Sequence, residues 1–228
     1  LQSIRGYIMN STKEIKNKKV VIVGGSNILE GKQQGEMIDN FDYVVRLNGA
    51  IRLLNDPKYI IDYGTRDDIH FFTNPYIREM QPKLVNPPFY LFKFGYKQYK
   101  NLKHEVIGQS IKEVQKHIYK GFVYSGIAVL YHLLKQKPAK IHLLGMDLYV
   151  DEPNYYDGTW KGYIQNYVPE KMKRFTDKEH ADGHLAHSRF WNAAVLRNLI
   201  LQYSEIIHIE DEFENTINYI LKNRIKYE

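Results

Sequence analysis

Short apolar runs rich in β-branched and aromatic residues recur along this chain and alternate with longer stretches of helical periodicity. Such runs have the length of strands buried on both faces, and alternation with helices is typical of a parallel sheet. The sequence therefore predicts an α/β fold: a single Rossmann-like domain over residues 1–228, with a mostly parallel sheet flanked by helices. The predicted strands are 20–23, 43–47, 69–73, 89–92, 141–144 and 206–209.

Four stretches have helical character, and one long stretch has no sustained period. The predicted helices cover 111–119, 126–135, 188–203 and 212–225, and the last two carry apolar residues three and four positions apart. The stretch 150–183 combines prolines, tyrosines and many charges. Because a long irregular segment in a compact domain is usually functional, we expect 150–183 to form a lid.

Glycines and polar residues follow the first three predicted strands, at the point where each strand ends. They are Gly24, Gly25, Ser26 and Asn27 after the first, Arg46 and Asn48 at the second, and Asn74 after the third. Ligands of open parallel sheets bind beyond the carboxyl ends of the strands, where glycines let backbone N–H groups approach a phosphate. An asparagine amide also suits a base or ribose edge. These residues predict a site for a phosphorylated ligand, although a simple tight turn remains an alternative for the glycine pair.

The glycine pair does not follow either of the two common nucleotide-binding patterns. The chain has neither G-x-G-x-x-G nor a P-loop ending in Gly-Lys-Ser/Thr at this place, so NAD and ATP are not predicted. Ser125 and Gly126 begin an apolar helix, and Ser125 has the residue type of an N-cap. A helix N-terminus is also an anion site, so both interpretations are compatible.

The charge and the absence of cysteine limit the partners and the chemistry. A formal net charge of +6 favours an anionic partner, but dispersed Lys and Arg without a known nucleic-acid motif argue against nucleic acid. Peripheral membrane association and oligomerisation remain open. The chain has no cysteine, which excludes disulfides and thiolate metal sites. It also has no apolar run long enough to span a bilayer and no signal-peptide core. We expect a cytoplasmic protein, or one peripheral at the inner membrane face.

The spacing of His180, His184 and His187 invites a zinc interpretation, but Gly183 argues against one continuous helix that holds all three. Asp-x-Asp, a common signature of metal-dependent sugar transfer, is also absent, so no metal or other cofactor is predicted. His187 precedes a helix and could act as a general base, or be a solvated loop residue. Tyr149 and Tyr155 could bond a departing phosphate or simply pack.

Several segments together resemble the sialyltransferases of families 29 and 42. VVIVGGSNILEGKQQGEMIDNFDYVVRLNGA resembles the large sialylmotif, YIIDYGTRDDIHFF continues it, and YSGIAVLYHLL resembles the small sialylmotif. LGMDLYVDEPNYY and HLAHSRFWNAAVLRNL are closer to family 42. The disulfide that typically joins the two sialylmotifs in family 29 is impossible here, and Tyr124 stands where family 42 often has Thr.

The resemblance implies a GT-A-like sialyltransferase variant that transfers sialic acid from CMP-sialic acid to a glycan acceptor, with inversion and without metal. Under it, Tyr149 and Tyr155 bond the departing phosphate, and His187 deprotonates the acceptor hydroxyl. The predicted donor-binding set is Gly25, Ser26, Asn27, Arg46, Asn48, Asn74, Ser125 and Gly126. A CMP-Kdo-dependent transferase and an inactive nucleotide- or glycan-binding module remain alternatives.

Overall fold

The computed structural model describes residues 11–48, 57–73, 89–93, 95, 102–119, 121–148 and 188–224. These residues contain one seven-stranded sheet in the order β5-β4-β3-β2-β1-β6-β7. The strands are β1 Lys19–Val23, β2 Tyr43–Leu47, β3 Ile69–Phe72, β4 Phe89–Phe92, β5 His104–Val106, β6 Lys140–Leu144 and β7 Ile207–Ile209. Every neighbouring pair is parallel, so the sheet is more uniform than the predicted mostly parallel one.

Helices accompany this sheet on both faces. They are α1 Gly35–Asp39, α2 Pro57–Tyr63, α3 Gly108–Gln115, α4 Ser125–Leu134, α5 Arg189–Gln202 and α6 Asp211–Lys222, with 3₁₀ turns at Thr12–Ile15 and Asn27–Leu29. The six predicted strands are confirmed to within a residue at each end, whereas β5, α1 and α2 were not predicted. The predicted helix 111–119 is wrong at both ends, because α3 begins at Gly108 and ends at Gln115. The predicted lid, 150–183, lies outside the described residues.

The core is divided by the sheet into two apolar layers. Successive residues of β1 point to opposite faces, so Val20 and Ile22 pack in a larger layer with α4, α5 and α6. Val21 and Val23 pack in a smaller layer with α1 and α2. This burial on both faces explains why the strand is a continuous apolar run rather than an alternating one. No helix of the described residues is long and apolar enough to cross a bilayer.

The strand order contains a topological switch point beside β1. Strands β2 to β5 extend from one side of β1, whereas β6 and β7 lie on its other side. Connections that leave in opposite directions open a crevice at the carboxyl ends of β1 and its neighbour, which is where ligands of open α/β sheets bind. The fold therefore places its crevice where Gly24 and Gly145 follow β1 and β6.

Candidate functional site

The loops that follow β1 and β6 cross in very close contact. The backbone N–H of Gly24 donates to the Leu144 carbonyl at 2.9 Å, and that of Ser26 donates to the Gly145 carbonyl at 3.0 Å. A Cβ atom on Gly24 would lie 2.2 Å from the Gly145 carbonyl oxygen. Gly145 has a φ of +63°, which L side chains rarely adopt. The fold therefore requires glycine at both positions, and the half-buried Gly25 follows this crossing.

Ser26 fastens the two loops together. Its buried hydroxyl donates to Asp147 Oδ2 at 2.8 Å and accepts the N–H of Ile28 at 3.4 Å. Its carbonyl accepts the hydroxyl of Tyr63. These bonds occupy the Ser26 side chain in shaping the crevice, so its donor-binding role stays a prediction without support from the geometry. Asn27 begins the next 3₁₀ turn, and its role also stays a prediction.

Arg46 is fully buried and holds the chain that leads into β3. Its Nε donates to the Arg66 carbonyl at 2.8 Å, and its Nη2 donates to the Tyr63 carbonyl at 2.7 Å. Burial lowers the pKa of this guanidinium, while the charge of Asp67 opposes the shift. The structure thus gives Arg46 a part in the fold and does not bring it to the other predicted donor-binding side chains that it describes.

Asn48 and Ser125, by contrast, meet at the crevice. The Asn48 Nδ2 donates to Ser125 Oγ at 3.3 Å. The Asn48 Oδ1 accepts both the backbone N–H of Thr73 at 3.0 Å and its hydroxyl at 3.1 Å. The pair therefore joins the ends of β2 and β3 to the beginning of α4. These are two of the residues that the sequence selected from distant segments.

The predicted N-cap role of Ser125 is wrong by one residue. The N-cap of α4 is Tyr124, whose side chain makes no capping bond, and Ser125 is the first helical residue. Its hydroxyl is therefore available to Asn48. Gly126 follows, and a Cβ there would lie 3.0 Å from both Sδ and Cε of Met146. Gly126 thus lets Met146 of the β6 loop pack against the start of α4.

The pair has the hydrogen-bonding capacity of a ligand site. An asparagine amide carries two N–H bonds and a serine hydroxyl one O–H bond. Within the described part of the chain, Asn48 gives one N–H to Ser125, which leaves its second N–H and the Ser125 O–H. The first N–H groups of a helix have no acceptor inside the helix. The start of α4 therefore offers neutral donors to a carbonyl or phosphate oxygen.

Sequence reasoning missed Asn192, which ties α5 to the loop before α4. This residue is fully buried. Its Oδ1 accepts the N–H of Tyr124 at 2.7 Å, and its Nδ2 donates to the carbonyls of Phe122 at 3.0 Å and Ser188 at 2.8 Å. Ser188 is the N-cap of α5, and its hydroxyl accepts the N–H of Trp191. The signal in the sequence is weak: an asparagine between Trp191 and Ala193 in the predicted helix 188–203.

The remaining predicted site residues, Asn74, Tyr149, Tyr155 and His187, lie outside the described residues. Three of them are chain neighbours of described site elements, since Asn74 follows Thr73, Tyr149 follows Leu148 and His187 precedes Ser188. Their roles stay predictions. In the part of the chain that the structure describes, no three histidine, aspartate or glutamate side chains converge as a metal-ligand set.

Fold and site together define an α/β domain with a polar ligand crevice at its switch point. A family model, Glycosyltransferase family 29 (sialyltransferase), matches residues 4–138, which is more than half of the chain. The chain belongs to this family, and the predicted resemblance to it is confirmed. A curated mouse (Mus musculus) relative, alpha-N-acetylgalactosaminide alpha-2,6-sialyltransferase 2, is 34% identical over 98 residues, or 42% of this chain. The match spans only 23% of the mouse protein's length.

Solved sialyltransferase structures share the fold. A mammalian sialyltransferase in complex with Gal-beta-1-3GalNAc-ortho-nitrophenol superposes with a TM-score of 0.55 and 17% identity, covering 85% of this chain and 69% of that one. The sialyltransferase CstII from Campylobacter jejuni, in complex with CMP-3FNeuAc, gives 0.54 and 16%, covering 84% and 81%. At these identities the likeness concerns the fold, and it confirms the predicted GT-A-like sialyltransferase variant.

Proposed function

We propose that this chain is an inverting, metal-independent glycosyltransferase that moves sialic acid from CMP-sialic acid to a glycan acceptor. The observation that carries the proposal is the Asn48–Ser125 pair, which lies at the switch-point crevice of a family 29 chain. A bound CMP-sugar analogue in CstII, which has the same fold, supports a CMP donor. The glycan in the mammalian structure likewise supports a glycan acceptor.

The donors at the start of α4 suit a nucleoside monophosphate as leaving group. CMP departs with less negative charge than a nucleoside diphosphate, so neutral hydrogen-bond donors can replace a divalent cation. Ser125, Asn48 and the first N–H groups of α4 supply such donors. In this proposal Tyr149 and Tyr155 add two phenol hydroxyls at the departing phosphate, and no metal or other cofactor takes part.

The proposed reaction is a single displacement at the anomeric carbon. The acceptor oxygen forms a bond to this carbon while the bond to the CMP phosphate oxygen breaks, and the acceptor proton passes to the imidazole of His187. Attack from the face opposite the leaving group inverts the configuration. Asn192 supports this arrangement, because it fixes Ser188, the residue after His187, to the loop that leads to Ser125.

CMP is expected to stabilise the protein against heat, whereas UDP, GDP and NADH are not. A ligand present at a hundred times its Kd stabilises the folded state by about 2.7 kcal/mol. For a domain of this size, that corresponds to a rise in Tm of roughly 5–10 °C. A thermal-shift titration with the four nucleotides measures this, and stabilisation by UDP or GDP but not by CMP would contradict the proposed donor.

The donor sugar and the metal requirement are then measured with the same protein. CMP release is followed with CMP-sialic acid or CMP-Kdo in the presence of EDTA and an acceptor. We expect release from CMP-sialic acid and no effect of EDTA. Release from CMP-Kdo alone would reassign the sugar, and activity that returns only with a divalent cation would overturn metal independence.

We also propose that a group of lysines at the amino-terminal end of the sheet, called the lysine edge below, holds the protein on an anionic membrane surface. The lysine edge comprises exposed lysines before β1 and before β6: Lys13, Lys16, Lys18, Lys19, Lys135, Lys137 and Lys140. Pairing of Lys19 with Lys140 brings the two groups to one edge, at the amino ends of β1 and β6. The crevice lies at the carboxyl ends, so a surface-bound protein keeps it away from the bilayer.

The charge of the lysine edge is largely unneutralised. Among the described residues, Lys135 alone of the seven has a carboxylate within ion-pair distance, Glu113 at 2.8 Å. Lys13, Lys16, Lys135, Gln136 and Lys137 line an open pocket of about 300 Å³. Lysine ammonium groups act as point charges suited to diffuse headgroup charge, and each contributes about 1 kcal/mol near an anionic bilayer.

We expect charge reversal of four lysines to glutamate to weaken binding to vesicles that contain phosphatidylglycerol by at least about a hundredfold; the four are Lys13, Lys16, Lys135 and Lys137. Four attractions of about 1 kcal/mol each are lost. Vesicle sedimentation measures it, with pure phosphatidylcholine as the neutral surface. The charge-matched comparison sets reversal of Lys13 and Lys16 alone against reversal of Lys32 and Lys93, which lie on the carboxyl side of the sheet, near Glu210 after β7 and directly after β4. An equal loss in both variants would show an effect of net charge and would contradict a defined surface.

A further inference from the structure

We propose that His70, held by Asp67, is a positioning residue that fixes Asn48 in the conformation in which its side chain meets Ser125. The inference rests on the proposed function, since it assigns to the donor site a support that lies beneath it. His70 belongs to β3 and Asp67 to the turn before this strand. Neither residue was selected from the sequence as part of the site.

The contacts form a chain from the buried carboxylate to the start of α4. His70 Nδ1 lies 2.5 Å from Asp67 Oδ2, and His70 Nε2 lies 2.8 Å from the Asn48 carbonyl oxygen. Asn48 then donates from Nδ2 to Ser125. The His70 side chain is 0% exposed and that of Asp67 is 7% exposed. Hydrogen bonds therefore link all four residues, and the contact between Asp67 and His70 is closed to water.

The carbonyl that His70 contacts fixes which ring nitrogen carries a hydrogen. A carbonyl oxygen can only accept, so Nε2 must carry a hydrogen for its contact with Asn48. Nδ1 makes the other contact of the ring, with Oδ2 of Asp67 at 2.5 Å, and this contact fixes the ring's orientation. Asp67 thus sets the imidazole so that it donates toward Asn48. Stacking on Phe72 also holds the plane of the imidazole ring, with the two ring centroids 4.1 Å apart.

Asn48 has a backbone conformation that needs such support. Its φ is +47°, in the left-handed region that non-glycine residues visit rarely, although asparagine does so more readily than most. The carbonyl is held by His70, and the side-chain oxygen is held by Thr73. With both ends fixed, the remaining group, the side-chain NH₂, points at Ser125. The strained turn is therefore the means by which the amide reaches the site.

The fold itself has no need of a histidine at this position. The other residues of β3, namely Ile69, Phe71 and Phe72, are buried and apolar, and an apolar residue would fill the place of His70 without burying a polar ring and a carboxylate. Burial of both polar groups is offset by the bonds that they make to each other and to Asn48. The charge of Asp67 also acts on the buried Arg46, whereas His70 is linked through Asn48 to Ser125, so the output of His70 is the position of the amide.

The test is a double-mutant cycle on CMP affinity. His70→Phe keeps a ring that can stack on Phe72 and removes both hydrogen bonds, while Asn48→Gly removes the amide and adopts a positive φ without strain. Each single variant is expected to raise the CMP Kd at least tenfold. In the Asn48→Gly background, His70→Phe is expected to have no further effect, because its target is gone.

Two other variants separate positioning from general support of the fold. Asp67→Asn provides an NH₂ that can donate to a bare Nδ1, which leaves the ring hydrogen on Nε2, so this variant is expected to keep most of the affinity. Asp67→Leu is expected to match the loss of His70→Phe. The matched control is Tyr90→Phe, which removes a buried hydroxyl from the adjacent strand β4, where Tyr90 pairs with His70. It is expected to leave the CMP Kd unchanged in both backgrounds.

Equal effects of His70→Phe in the wild-type and Asn48→Gly backgrounds would overturn the inference, because His70 would then act elsewhere. If His70→Phe fails to fold, the comparison of Asp67→Asn with Asp67→Leu decides, and equal losses of CMP affinity in both variants contradict the inference.

A second readout needs no nucleotide. The side-chain NH₂ resonances of Asn48 in the NMR spectrum are expected to shift in His70→Phe and not in Tyr90→Phe. If wild-type protein fails to bind CMP, the proposed function fails, and unchanged Asn48 resonances would overturn the positioning role separately.

Discussion

Replacement of His187 by alanine is expected to lower sialyl transfer by roughly two to four orders of magnitude, the usual contribution of a general base, while CMP binding stays nearly intact. The imidazole accepts a proton only as the acceptor oxygen attacks, so its loss affects the transition state more than the bound donor. Initial rates of CMP release measure the first effect. A CMP thermal-shift titration of the same variant measures the second.

His180 and His184 provide the matched controls for this experiment, since they belong to the same spaced group of histidines. His180→Ala and His184→Ala are expected to leave the transfer rate within a few-fold of wild type. A comparable collapse in all three variants, reversed by added zinc, would favour a metal site instead. If His187→Ala transfers sialic acid at the wild-type rate, His187 is not the general base. If the wild-type protein binds CMP but shows no turnover, the inactive binding module is favoured.

The strands of this fold could be predicted because buried parallel strands are apolar on both faces. In β1, Val20 and Val21 meet different layers, so neither face interrupts the apolar run. The missed strand, β5, comprises only three residues and begins with His104 and Glu105, so no such run marks it. Likewise α1, Gly35–Asp39, is too short to show a helical period.

The site could be predicted only in part, because position along the chain does not fix the environment of a side chain. Asn48 and Arg46 both lie at the end of β2 and looked equivalent as donor-binding residues. In the fold, Arg46 is bonded to carbonyls of Tyr63 and Arg66, whereas Asn48 faces Ser125.

The residues that the prediction missed have partners that are distant in sequence. Asn192 contacts the N–H of Tyr124 across 68 positions, and no local pattern records such a contact. His70 appears in the sequence simply as one residue of a strand. Its contact with the carbonyl of Asn48 depends on the parallel pairing of β2 with β3 and on the left-handed turn at Asn48.

Replacement of Gly24 by alanine is expected to destabilise the protein by about 3 kcal/mol or to prevent folding. The added Cβ would lie 2.2 Å from the Gly145 carbonyl oxygen, and this neighbour is backbone rather than the flexible end of a side chain. Relief of the clash must separate β1 from β6, which pair over their whole length at the centre of the sheet. For a domain of this size, the Tm is expected to fall by roughly 6–12 °C.

Gly95→Ala is the matched control, since the nearest atom to its added Cβ would be Val106 Cγ2 at 3.8 Å, an ordinary contact. Its Tm is expected to equal that of wild type or to rise slightly, because alanine restricts the unfolded chain. Urea unfolding of both variants separates a change in stability from a change in compactness. A Gly24→Ala protein with the wild-type midpoint would contradict the close crossing at Gly145, and with it the crevice in which Asn48 and Ser125 lie. A Gly24→Ala protein that still folds must shift the loop after β6 to relieve the clash. Because Met146 of this loop packs against Gly126 at the start of α4, the variant is also expected to bind CMP more weakly.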